Sequence, residues 1–237
     1  MRLRSIEIKY LLFDFDGTLA DSSTGIISSM KCALEESGIN INFTDNEICK
    51  VIGPPLTLMI RKLLGERVAD EMVDRIAVNY RQHYSHSGLY QVELYDGVRE
   101  MLQTLDKKNN LYIVSSKPKD FILKLIKYLD IESFLKGIYG SGFELIPKHK
   151  AKLIEEMMKE NRCNSEECLM IGDKADDIIA AKQNNMRSIG ITYGYGTWQE
   201  LKEANADIIT DTPLGILANI KGLEGSEVFD LKNENKF

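Results

Sequence analysis

The chain has 237 residues with 30 basic and 36 acidic side chains, a formal net charge of −6, and 43% hydrophobic residues. That composition is ordinary for a globular protein, and the acidic balance argues against nucleic acid or an anionic membrane as partner. The length supports either one large domain or a core with a smaller inserted lobe.

The N-terminal segment has no apolar run long enough for a signal peptide or a membrane span. Tyr10 to Phe13 is a short apolar run that predicts a buried strand ending in a loop at Asp14-Phe15-Asp16-Gly17-Thr18. A helix is expected from about Thr24 to Ser37, stopped by Gly38. Thr44 and Glu47 have capping-box spacing and start another. Leu56, Met59, Ile60, Leu63 and Leu64 recur at helical spacing, and a further helical stretch runs from about Val68 to Tyr84. The segment from about 22 to 90 therefore reads as helical, without a strand.

Beyond Gly97 the pattern alternates. Apolar strands are expected at Leu111–Ser115, Gly137–Tyr139, Cys168–Asp173, Ser188–Thr192 and Asp207–Thr210. Helices are expected at Val98–Leu105, around Ile122–Leu129, at Lys150–Asn161 and Ala175–Asn184, and again before Asp207. Repeated strand–helix alternation implies right-handed βαβ units and a parallel sheet. The expected architecture is α/β: a Rossmann-like parallel core built from residues 1–20 and 91–221, with an inserted helical cap at 21–90 and a polar, aperiodic tail at 222–237 that frays. Cys32, Cys49, Cys163 and Cys168 form no CxxC pair and read as reduced thiols of a cytoplasmic protein.

In open parallel sheets ligands gather beyond the carboxyl ends of the strands. Asp14, Asp16, Ser115 and Asp173 all fall there. A carboxylate such as Asp14 can attack phosphorus and split hydrolysis into two easier steps. A carboxylate and a phosphate repel, by roughly 4 kcal/mol per pair of unit charges at 4 Å and an effective dielectric of 20. A hard divalent cation on oxygen ligands reverses that sign, and magnesium suits the site. Asp16, two residues on, can protonate a leaving oxygen and then activate water. Gly17 lets backbone amides turn toward the phosphate.

Asp14-Phe15-Asp16-Gly17-Thr18-Leu19 resembles the first motif of the haloacid dehalogenase-like hydrolases. Ser115-Ser116-Lys117 resembles the second, Lys150 at the start of the helix preceding Cys168 the third, and Gly172-Asp173-Lys174-Ala175-Asp176-Asp177 the fourth. The resemblance spans residues 8 to 217 and is closest to the phosphoglycolate phosphatase-like group. It implies Mg2+ held by the Asp14 side chain, the Asp16 carbonyl and Asp173, with Asp177 in the outer metal shell or orienting Lys150. It also implies phosphate binding by Ser115 and Ser116 and charge neutralisation by Lys150. Lys148 competes with Lys150 for that role, and Lys150 is preferred for its place at the helix start. Lys174 stands where relatives often carry threonine.

Asp16 argues for phosphate esters over haloacids, because a departing alkoxide needs a proton. The expected function is hydrolysis of a small phosphorylated metabolite through a phospho-Asp14 intermediate, with phosphoglycolate the first substrate. The alternatives are a nucleotidase, a pyrophosphatase, a phosphosugar mutase or a non-catalytic phosphate-binding protein. His83 and His86 read as surface residues, with a catalytic or metal role the alternative, and Arg61 either as a grip on a substrate carboxylate or as part of a solvated helix face. Gly194-Tyr195-Gly196 shapes a loop near the cap, and Trp198, with Leu201, reads as core or as a cap contact. Nothing in the sequence fixes an oligomeric state.

Overall fold

The structure, a computed structural model, describes residues 4–5, 7–142, 148–225 and 227–228. Six strands form a parallel sheet: β1 (Tyr10–Phe13), β2 (Asn110–Pro118), β3 (Leu135–Ser141), β4 (Cys168–Gly172), β5 (Arg187–Ile191) and β6 (Ile208–Thr210). Their spatial order is β3-β2-β1-β4-β5-β6, so β1 lies near the middle with crossovers running to both sides. A strand buried on both faces carries a continuous apolar run. β1, Tyr-Leu-Leu-Phe, has that composition, and its last three residues are fully buried.

Side-chain alternation sorts the core onto two faces. Leu11, Phe13, Ile113 and Ile171 join one cluster. It includes residues of α5 (Val98–Leu105), α6 (Lys119–Tyr128) and α10 (Pro213–Gly225). Leu12, Val114 and Met170 point the other way, onto Leu153, Ile154 and Met157 of α7 (Lys150–Asn161) and Ala180 and Ala181 of α8 (Ala175–Gln183). Each such aliphatic side chain contributes about 1.5–3 kcal/mol when fully buried.

Register brings the chemistry together. Phe13 of β1 is level with Ile113 of β2 and with Ile171 of β4. Asp14 comes one residue later, while Ser115 and Asp173 come two residues later on their own strands, so all three emerge at one edge.

The helical insertion comprises α1 (Ser23–Glu36), α2 (Asp45–Lys50), α3 (Leu56–Leu64) and α4 (Asp70–His83), closed by a π turn at Tyr84–Gly88. The expected Thr44–Glu47 capping box opens α2. Ala20–Asp21 and Glu93–Leu94, the connections into and out of the insertion, pair as a short antiparallel ladder that periodicity gave no sign of. β2 and β3 are longer than their apolar runs because pairing extends beyond the hydrophobic residues. The run-out after β6 holds helix α10, with Ile216 and Ile220 one turn apart and buried.

The tail boundary at 222 falls within α10, and residues 227–228 pair with 4–5; the remainder of the tail lies outside the described residues. Leu201 of α9 (Trp198–Glu203) is fully buried, whereas Trp198 is 52% exposed beneath Lys202. Trp198 is therefore not core, because it occupies the first helical position and faces outward. Among the described residues no helix is long and apolar enough to cross a membrane.

Candidate active site

Asp14 is 2% exposed at the tip of β1. Its Oδ1 accepts from the Phe15 amide at 2.7 Å and its Oδ2 from Lys150 Nζ at 2.8 Å. Lys150, the first residue of α7, also pairs with Asp177. Asp177 accepts the Lys174 amide at 3.0 Å through its other oxygen, closing the first turn of α8. Asp173 is fully buried and takes the Tyr195 amide at 2.8 Å, the Gly196 amide at 3.3 Å and the Thr18 hydroxyl at 3.2 Å.

Gly17 has φ of 81°, a left-handed turn that favours glycine. The loop at Gly194 packs against it so tightly that a methyl there would overlap the Gly17 carbonyl oxygen and come within 2.6 Å of Asp173 Cβ. The close approach of these two turns is what delivers the Tyr195 and Gly196 amides to Asp173.

Asp14, Asp173 and Asp177 offer carboxylate oxygens within 4.8 Å of one another, all buried. Among the described residues, three acids meet the one ammonium of Lys150, so with all three ionised the excess is two negative charges, the charge of one divalent cation. Burial, followed by the neighbouring acids, pushes the Asp173 carboxyl up from the ordinary carboxylate range. Burial likewise pushes Asp177 up, against the opposing pull of Lys150. Burial would lower the Lys150 ammonium, but Asp14 and Asp177 outweigh it and push it up. An oxygen-only donor set with uncompensated charge fits a hard cation such as magnesium. The cluster is built from Asp14, Asp173 and Asp177 side chains; the Asp16 carboxylate points elsewhere.

That carboxylate is bound by Lys117, whose Nζ donates to both Asp16 oxygens at 2.9 Å. Ser115 is buried, with its Oγ accepting from the Lys117 amide at 3.2 Å. Ser116 lines a cavity of about 80 Å³ between the insertion and the core, together with Asp16, Ser115 and Lys117. Lys148 instead pairs with Glu156 at 2.9 Å, on an exposed face. Arg61 binds the Val68 carbonyl and Asp70 within the insertion. His83 pairs with Glu36, and His86 contacts the Gln82 carbonyl. None of these last four side chains lines that cavity.

Lys117, Tyr84 and Tyr195 carry contacts that the sequence reading assigned to no residue. Only Lys117 had a signal, its place two positions after Ser115, and the register shift between Ser115 and Pro118 means that regular alternation alone does not aim it.

The segments following the carboxyl ends of the parallel strands thus carry a buried three-acid cluster beneath a helical insertion. The haloacid dehalogenase-like hydrolase family model matches residues 11–191, and the chain belongs to that family. Its curated relatives include proteins named as phosphatases and as a nucleotidase. It is 34% identical over 207 residues to a 5'-nucleotidase of Pseudomonas aeruginosa, covering 85% of this chain and 90% of that protein. It is 29% identical over 228 residues to a phosphoglycolate phosphatase of Colwellia psychrerythraea, covering 93% and 100%. A crystal structure of a "predicted phosphatase" from Clostridium acetobutylicum superposes with a TM-score of 0.86 at 30% identity, covering 91% of this chain and 99% of that one.

Proposed function

We propose that the chain hydrolyses small phosphomonoesters through a phosphorylated Asp14, in the cytoplasm and with Mg2+ as cofactor. The observation that carries the reading is Asp14 Oδ2 held 2.8 Å from buried Lys150, inside the three-acid cluster. Asp14, Asp173 and the Asp16 carbonyl would hold Mg2+, which would supply charge to offset the repulsion between carboxylate and phosphate.

The remaining work falls to the chain's own groups. Lys150 orients Asp14 and neutralises part of the cluster. Ser115, Ser116 and the amides around Gly17 receive the phosphate oxygens. Asp14 Oδ attacks phosphorus as the ester oxygen departs, and Asp16 gives that oxygen its proton. Asp16, now a carboxylate, takes a proton from the water that attacks the phosphorylated Asp14. The insertion closes the cavity against bulk water.

Phosphoglycolate is the first substrate we put forward. A nucleoside monophosphate is the second reading, supported by the 34% identity to a protein named 5'-nucleotidase. Turnover of p-nitrophenyl phosphate with Mg2+ tests the mechanism. Asp14→Asn should lose at least about 10³-fold in kcat; wild-type turnover in that variant would end the proposal. Comparing kcat/KM for phosphoglycolate and nucleoside monophosphates then ranks the substrates.

A further inference from the structure

A charged cluster in the cavity between insertion and core has a role beyond lining it. Lys117 is 7% exposed. Besides both Asp16 oxygens, its Nζ donates to Tyr84 Oη at 2.6 Å and lies 4.7 Å from the centroid of the Tyr84 ring. One ammonium thus joins a core acid to a side chain of the insertion.

Two backbone irregularities aim these groups. The pairing of β2 with β3 shifts register between Ser115 and Pro118, the stretch that carries Lys117. Helix α4 passes into its π turn at Tyr84. Bulges and π turns redirect side chains and recur at functional sites. The Tyr84 ring is fixed by stacking on Tyr80 at 5.5 Å and by an edge contact with Phe121 at 5.3 Å. Burial, with the Asp16 charge adding to it, pushes the Tyr84 phenol well above its ordinary value, so it meets the ammonium as a neutral hydroxyl.

We infer that Lys117 is a positioning residue that orients Asp16 through a two-oxygen ion pair and is itself held by Tyr84, so that the acid/base is set only when the insertion is seated. This rests on the reading of Asp16 as the acid/base. The step served is hydrolysis of phosphorylated Asp14. Water oxygen bonds to phosphorus, the phosphorus–oxygen bond to Asp14 breaks, the water proton passes to Asp16, and inorganic phosphate leaves an Asp14 carboxylate behind. A carboxylate has about four lone-pair sites. Lys117 engages both oxygens and leaves sites for water while preventing the group from rotating.

The test uses the full chain with Mg2+ and p-nitrophenyl phosphate in rapid mixing, on Lys117→Met, Tyr84→Phe, the double variant and Asp16→Asn. Lys117→Met should lower kcat about 10-fold or more with KM within about 2-fold. Its burst of p-nitrophenol should exceed the wild-type burst, because phosphoenzyme hydrolysis has become slow. Tyr84→Phe should lose about 3-fold, and the double variant should fall no further than Lys117→Met alone. A raised KM at unchanged kcat would make Lys117 a substrate contact and overturn the inference, as would additive losses.

If Asp16→Asn keeps its turnover, the acid/base reading fails and takes the inference with it. If Asp16→Asn is inactive while Lys117→Met and Tyr84→Phe keep wild-type kcat, the inference alone fails. Should Lys117→Met not fold, Tyr84→Phe decides, since it keeps the ring packing and removes one hydroxyl. An unchanged kcat and burst in that variant would overturn the link to the insertion.

Discussion

Replacing Lys150 by methionine keeps most of the side-chain volume and deletes the cation that, among the described residues, pairs with both Asp14 and Asp177. Removing one partner of a buried ion pair costs about 3–5 kcal/mol, because the other charge stays behind without compensation. For a chain of this size 1 kcal/mol moves Tm by about 2–4 °C, which sets the expected drop at about 6–20 °C. The structure also says when that drop should shrink. The Asp173 and Asp177 carboxyls are already pushed up by burial, so acidification lets the cluster take up protons and discharge itself.

A divalent cation does the same by direct neutralisation, and returns about 2.7 kcal/mol at a concentration 100-fold above its Kd. Lys150→Met should therefore be least stable without metal at about pH 8, and should recover when Mg2+ is added or the pH is lowered to about 6. Thermal unfolding under those conditions reads the stability. The same preparations with Mg2+ and p-nitrophenyl phosphate should show kcat reduced by about 10²–10³-fold, the usual cost of removing a group that stabilises developing charge. A metal-free variant melting within about 2 °C of wild type at about pH 8 would refute the account of Lys150 as the counter-charge of the cluster.

The wild-type chain should show its own pH signature. Asp173 and Asp177 hold protons more tightly folded than unfolded, so their contribution is full below the unfolded carboxylate value and is lost as pH rises through the raised folded values. Metal-free Tm should fall from about pH 5 to about pH 8 and Mg2+ should flatten that slope; a metal-free profile rising across that window would contradict it. Gly194→Ala should destabilise by about 1–3 kcal/mol and remove most activity, because its methyl meets the Gly17 carbonyl and crowds Asp173. Chemical denaturation and kcat measure the two effects, and a variant matching wild type in both would show that this loop yields freely.

The parallel core was legible because its strands are short apolar runs whose helices repeat at a clear period; β1 and β4 need only hydrophobicity to be found. The meeting of Asp14 and Asp173 was legible for a related reason, since each follows such a run and strand ends in a parallel sheet converge, whereas the turn of the Asp16 carboxylate toward Lys117 was not. The Ala20–Asp21 and Glu93–Leu94 ladder was not legible, because two-residue strands carry no periodicity and exist only where the chain leaves and re-enters the core. Neither was Tyr195, whose amide serves Asp173 while its hydroxyl donates to Asp21 at 3.0 Å and accepts from the Ser22 amide at 2.9 Å. Those contacts join residues more than 150 positions apart or depend on a loop's path, and residue type alone encodes neither.

The cations explain why two acids so near in sequence can act differently. Asp14 and Asp16 are separated by one residue, and both would repel a phosphate if left alike. Lys150 draws Asp14 into the buried cluster with Asp173 and Asp177, where a divalent ion can offset its charge. Lys117 draws Asp16 the other way, toward Tyr84 and the cavity between insertion and core. In the proposed mechanism, the division of labour between nucleophile and acid/base follows from which lysine each carboxylate meets. The second lysine is tied to the insertion through Tyr84, and the proposal makes seating the insertion and orienting the acid/base one event.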